Sequence, residues 1–180
     1  DTLYSLATVL LLGSAALALV IRFFVMEAFI IPTDTMSPSL IVGDYIFVTK
    51  VVFKPVILCD IVIFTFPNEP SKEYIKRVVA IEDDQIEIRD GQVLLNGKSE
   101  ASYPVTWDGT PVEMWNMVSM KVPKGHVFVL GDNRAKGHDS RTWGFLSTKN
   151  ISGRAWLIWF SVQNPGFNIR WDRLFKKVNG

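Results

Sequence analysis

The sequence predicts a mainly β fold behind an N-terminal transmembrane helix, and three observations carry that prediction. Leu3 to Ile21 is almost wholly apolar, interrupted only by Ser5, Thr8, Gly13 and Ser14. After Pro32, short runs rich in Val, Ile and Phe recur between turn residues, the pattern of successive strands. No run in the globular part keeps a helical period. A chain of 180 residues has room for one well-buried core, so a single globular domain follows the helix.

At a rise of about 1.5 Å per residue the N-terminal stretch nearly spans a hydrocarbon layer of about 30 Å. A cleaved signal peptide would need a basic start, a short apolar stretch and a small-residue cleavage site; none is clear here, and Arg22-Phe23-Phe24 runs on through Val25 and Met26. Residues 1–26 are therefore read as an anchor leading straight into the domain. The lone Arg22 does not fix its orientation. Strands are expected at Tyr45–Val51, Ile61–Phe66, Ile75–Ile81, Gln85–Ile88, Val93–Leu95, Val118–Val122, Val127–Leu130 and Ala155–Phe160. Asp90-Gly91, with Asn96-Gly97 close behind, marks a hairpin. Val51 to Leu58 is longer and more apolar than a turn requires, and it reads equally as core or as a patch entering the lipid interface with some of the Trp side chains. Residues 166–180 form a basic aromatic tail. Arg170, Arg173, Lys176 and Lys177 alternate there with Trp171, Leu174 and Phe175, giving either a short amphipathic helix on an anionic surface or, the preferred reading, a solvated tail packing Trp171 on the core.

Charge and composition exclude several functions. With 19 basic and 18 acidic side chains there is no field and no dense Lys/Arg block to attract nucleic acid. The lone Cys59 forms no intrachain disulfide. One Cys with the separated His126 and His138 does not make a zinc site, and neither a metal nor a cofactor is expected.

Chemistry enters at Lys76. It lies in the apolar run Tyr74-Ile75-Lys76-Arg77-Val78-Val79. A free lysine, with a pKa of about 10.4, is protonated at neutral pH, but burial depresses that value and frees an amine able to accept a hydroxyl proton. The competing explanation is an edge-strand lysine snorkelling to solvent. A cluster of hydroxyls, Thr33, Thr35, Ser37 and Ser39, sits just after the anchor between Pro32 and Pro38. On its own such a cluster is a loop. His138-Asp139 suggests a triad, but adjacent residues rarely reach relay geometry and no matching serine motif accompanies them.

Taken in order, these segments resemble the type I signal peptidases, membrane-anchored Ser/Lys proteases that cut signal peptides from exported proteins. The resemblance runs from the anchor to about Ser161. It rests on the box Ile31 to Leu40, Gly43-Asp44, Asp60-Ile61, the Tyr-Ile-Lys-Arg box at 74 to 77, the turn Asn96-Gly97-Lys98, and the box from Gly131-Asp132-Asn133 through Asp139-Ser140-Arg141 to Gly144. It implies a signal-peptidase-like antiparallel β domain over 27–165, on the outer (periplasmic or extracellular) face of a bacterial plasma membrane. It further implies Lys76 as general base, Thr35 at the nucleophile position, and the Thr33 hydroxyl with the Thr35 backbone N–H holding the oxyanion. Asp139 and Arg141 would brace the site as an ion pair, unless they form an exposed pair worth less than about 1 kcal/mol. Phe29, Ile31, Pro32, Met36 and Tyr74 would line shallow pockets for small side chains ahead of the cut, the substrate adding as a strand.

Three positions at the site depart from the family pattern, and Glu82-Asp83-Asp84 replaces a Pro-Gly-Asp turn farther from the chemistry. Thr35 replaces serine, adding a methyl that restricts χ1 and crowds the attack path. Asp34 replaces glycine, and its charge is expected to favour the ammonium form of Lys76. Gly137 stands where a serine commonly bonds the lysine. The leading expectation is a protease acting on preproteins at a lipid bilayer. The alternative is a catalytically impaired relative serving as a binding or accessory subunit among other membrane proteins.

Overall fold

A computed structural model describes residues 2–24, 26–50, 54–66, 69–100, 103–106, 116–136, 138–163 and 166–178. Helix α1 covers Thr2–Phe24, with side chains described for residues 6–17. Among the described residues no helix is long and apolar enough to cross a membrane. The strands are β1 Met26–Ile30, β2 Asp44–Lys50, β3 Ile61–Phe66, β4 Glu69–Ala80, β5 Gln85–Arg89, β6 Gln92–Leu95, β7 Lys98–Ser99, β8 Met117–Lys121, β9 His126–Leu130, β10 Leu146–Ser147, β11 Ile151–Gln163, β12 Asn168–Ile169 and β13 Lys176–Lys177. Helix α2 is the short Ser140–Trp143.

The larger sheet has the order β1-β2-β11-β3-β4-β9-β10, with β12 and β13 also on β11, and the smaller has the order β7-β6-β5-β8. Both are antiparallel, as expected for a mainly β domain whose neighbours are joined by short turns. In the smaller sheet the turns between β5 and β6 and between β6 and β7 fall where Asp-Gly and Asn-Gly stand. Asp90 and Gly91 have φ of 49° and 73°, Asn96 and Gly97 of 52° and 77°, the left-handed pairs a two-residue turn requires.

Strand alternation sorts the apolar residues into two layers on the larger sheet. Ile46, Val48, Ile61, Ile63, Ala155 and Ile158 pack on one face with Ile31, Met36 and Leu40. Val62, Phe64, Val78, Val127 and Val129 pack on the other with Leu146 and Ile151. A third cluster, including Val79, Ala80, Ile86, Val93, Phe128 and Leu130, joins the two sheets.

One expectation changes. The tail makes one 3-10 turn at Trp171–Arg173 rather than an amphipathic helix, and Trp171 is 73% exposed while Arg173 is 7% exposed. The tail is thus held by an arginine rather than a tryptophan. In the stretch Val51 to Leu58, residues 51–53 lie outside the described residues, and Ile57 stands exposed at the surface.

Candidate active site

Strand β1 leads directly into the loop 31–40. Ile31 N–H donates to Asp44 O (2.8 Å), Gly43 N–H to Ile31 O (3.1 Å) and Leu40 N–H to Met36 O (2.9 Å). Ile31, Met36 and Leu40 are buried to 2% exposure or less, so three apolar anchors pin the loop and leave Thr33 exposed and Thr35 half-buried. Met36 therefore sits in the core beneath the loop.

Lys76 comes from β4, an interior strand between β3 and β9 with Lys76 opposite Val62. Its side chain is 3% exposed, so the snorkelling edge-strand explanation does not apply. Its Nζ lies 3.4 Å from Thr35 Oγ1, and the Thr33 and Thr35 hydroxyls are 3.3 Å apart. Burial pushes the Lys76 amine below its ordinary value. Asp139 acts against that shift, Arg141 reinforces it, and Asp132 opposes it.

The box beginning at Gly131 fixes the loop from the other side. Asn133 N–H donates to Thr35 O (3.1 Å) and Asn133 Nδ2 to Asp34 O (3.2 Å). A Cβ at Gly131 would lie 2.7 Å from Thr35 O, so only glycine permits this approach. Asp139 is fully buried. It accepts from Gly131 N–H (3.1 Å) and takes both Nε and Nη2 of Arg141 at 2.8 Å. This is a buried bidentate pair rather than an exposed one.

Asp34 behaves differently from the expectation. Its carboxylate pairs with Lys136 at 2.7 Å on the surface, and that hydrogen bond holds its pKa below the ordinary value. The charges acting on Lys76 are those of Asp139, Arg141 and Asp132. Gly137 lies outside the described residues.

A cavity of about 130 Å³ beside the loop is lined by Phe29, Ile31, Pro32 and Tyr74, together with Ile30, Ile46, Ile63, Glu73 and Ile75. Four of the five expected pocket residues thus meet there; Met36 is not on its wall. The Tyr74 hydroxyl donates to Glu69 at 2.6 Å.

Sequence reading missed the network under the loop. Arg77 is 1% exposed and grips Asp132 through Nε (2.8 Å) and Nη2 (2.7 Å). It also donates to Cys59 O and to Ser39 Oγ at 3.1 Å, and it stacks on the Tyr103 ring at 4.4 Å. A second cation in an apolar strand, on the face opposite Lys76, was the available signal. From beyond the smaller sheet, Thr106 Oγ1 reaches Ser37 O (3.3 Å). A hydroxyl, a buried amine of lowered pKa and an adjacent apolar cavity together suit nucleophilic attack on a peptide carbonyl.

The chain is similar to known proteins over most of its length. The family described as signal peptidase, peptidase S26, matches residues 4–160. A probable signal peptidase I-1 from Synechocystis sp. is 36% identical over 167 residues, 87% of this chain and 83% of that protein. A signal peptidase I from Pseudomonas fluorescens is 32% identical over 198 residues, 83% of this chain and 70% of that one. A crystal structure of a signal peptidase I from Enterococcus faecalis aligns at 26% identity with a TM-score of 0.47, covering 56% of this chain and 97% of the other. The family match takes in the loop of Thr35, the strand of Lys76 and the box at 131 to 144 within one span, and the chain belongs to the signal peptidase family, peptidase S26.

Proposed function

We propose that this chain cleaves signal peptides from exported preproteins, with Thr35 as nucleophile and Lys76 as general base. One observation carries the reading: a buried amine of lowered pKa within 3.4 Å of the threonine hydroxyl. The neutral amine takes the Thr35 proton as Oγ1 bonds to the scissile carbonyl carbon. The Thr33 hydroxyl and the Thr35 N–H hold the oxyanion. The resulting ammonium gives its proton to the departing amine, leaving an acyl group on Thr35. Lys76, neutral again, deprotonates a water that attacks the ester, and proton return to Thr35 restores the site. Asp139 and Arg141 brace the box against the loop, and the cavity at Phe29, Ile31, Pro32 and Tyr74 takes a small side chain ahead of the cut.

The same reading makes residues 1–26 a membrane anchor, 27–165 the catalytic domain on the outer face of a bacterial plasma membrane, and 166–180 its tail. Support comes from Leu6, Val9, Leu10, Leu11, Leu12 and Leu17 of α1, all of which stand exposed and give the helix an apolar surface of the kind that marks a membrane interaction site.

Purified chain in detergent, given a fluorogenic signal peptide with small residues ahead of the cut, tests the assignment. Thr35→Ser is expected to speed cleavage by about tenfold, since it lifts a methyl from the attack path. Thr35→Ala is expected to lose at least about 1000-fold. An alanine variant as fast as the parent would remove Thr35 from the mechanism.

A further inference from the structure

The C-terminal tail reaches the catalytic loop and the turn after it through two arginines. Arg173 is 7% exposed; its Nε donates to Asp44 Oδ1 (3.0 Å) and its Nη2 to Asp44 Oδ2 (2.5 Å) and to Ser39 O (2.9 Å). Asp44 is fully buried and also accepts from Ile41 N–H (2.9 Å) and the Ser161 hydroxyl (2.6 Å). Arg170 Nη1 adds bonds to Val42 O (3.0 Å) and Ser161 Oγ (3.1 Å). Gly43 has φ of +89°, and a Cβ there would lie 2.1 Å from Val162 O, so the turn is pressed against the end of β11 where the tail departs.

These contacts converge on the segment that closes the nucleophile loop. Ser39 is held twice: at its carbonyl by Arg173 from the tail and at its hydroxyl by Arg77, which directly follows Lys76 in β4. Ser39 thereby ties the strand of the base, the loop of the nucleophile and the C-terminal tail together. The family match ends at residue 160, so the tail lies beyond the residues it covers.

We infer that the tail, through Arg173 and Arg170, is a positioning element that sets where Thr35 stands relative to Lys76. Neither arginine touches the reacting atoms; both act through Asp44, Val42 and Ser39. The inference rests on the catalytic reading above. Its consequence is specific to the chemical step. The cavity is walled by residues of β1, β3 and β4, by Ile31 and Pro32 and by Ile46 of β2, none of which the two arginines contact, so losing them should lower kcat and spare KM.

Four variants of the full chain in detergent test this: Arg173→Met, Arg173→Lys, Arg170→Met and, as a control on the exposed side of the same turn, Trp171→Ala. Arg173→Met is expected to lower kcat by up to about 100-fold, the cost of displacing a reacting group by about 1 Å, with KM within about twofold. Arg173→Lys should recover part of the loss, Arg170→Met should show a smaller one, and Trp171→Ala none. Amide hydrogen exchange supplies a readout independent of activity: residues 33–41 should exchange faster in Arg173→Met and Arg170→Met while 74–80 keep their protection. Variants that melt early yet keep parental kcat would make the tail merely structural and overturn the inference. Unchanged exchange at 33–41 would overturn it as well. If Arg173→Met does not fold, Arg170→Met and Arg173→Lys decide by the same measures. A parent chain that cleaves nothing would remove the proposed function, and exchange would then decide the bracing alone.

Discussion

Replacing Lys76 with methionine separates the catalytic and the structural consequences of one buried amine. Methionine keeps most of the stem volume and removes the charge. The Thr33 hydroxyl and the Thr35 N–H remain, so the loss is that of the base, about 10²–10⁴-fold in kcat/KM. Stability should move the other way. Burial lowers the folded pKa beneath lysine's ordinary value of 10.5, so between the two values the unfolded chain carries a proton that the folded chain does not. Stability of the parent therefore rises with pH across that window, by about 1.4 kcal/mol for each tenfold difference in proton affinity, and is lowest below it. Lys76→Met lacks this slope. Its advantage over the parent should be greatest at low pH and shrink as pH climbs toward 10.5. Urea unfolding at a series of pH values measures the difference, and the pH profile of kcat/KM reports the amine directly, since cleavage should rise with pH as Lys76 loses its proton. A methionine variant that cuts at the parental rate, or whose stability follows pH in parallel with the parent, would refute the reasoning.

Other consequences are open to measurement. Arg77→Met leaves Asp132 buried and unpaired and should cost about 3–5 kcal/mol, read as a lower urea midpoint. Asp34→Asn removes only a surface pair with Lys136 and should change stability by less than about 1 kcal/mol; a larger drop in melting temperature would mean that the pair holds the loop. Peptides with alanine ahead of the cut should be cleaved and those with tryptophan there should not, because the cavity is only about 130 Å³; equal kcat/KM for the two would place the substrate elsewhere.

Much of the fold was legible in the sequence because strand signals and turn signals agreed. Ile61–Phe66 is strand β3 as read, and Asp90-Gly91 turns the hairpin between β5 and β6. Met26–Ile30 escaped notice as a strand because its apolar residues continue the helix without a turn residue between them. β11 extends past the expected Ala155–Phe160 to Ile151–Gln163, with irregular register between Ala155 and Leu157 and between Ile158 and Phe160 that breaks the alternation a reader looks for. At the site, motif order placed Thr35, Lys76, Asp139 and Arg141. What contacts the loop from a distance was not readable: Arg173 and Asp44 are 129 positions apart, and no local pattern distinguishes a buried arginine in a basic tail from a solvated one. The same blindness put Asp34 against Lys76, since only the fold brings Lys136 to it.

Lys76 has two buried carboxylates among the charges acting on it, yet its pKa is lowered. Alone, Asp139 and Asp132 would favour the ammonium. Each is instead gripped bidentately by an arginine, Asp139 by Arg141 and Asp132 by Arg77, so the field at Lys76 is that of paired charges and desolvation prevails. Arg141→Gln should expose this arrangement. It removes a cation that lowers the Lys76 pKa and leaves Asp139, which raises it, without its partner. The folded pKa must then rise, less amine is neutral at a given pH, and the acid limb of the kcat/KM profile should move to higher pH. The variant will also be less stable, since a buried carboxylate loses its partner, so the profile has to be taken at a temperature where it remains folded. An acid limb that stays in place in a folded Arg141→Gln chain would mean that the amine is tuned by burial alone, with Arg141 only holding Asp139.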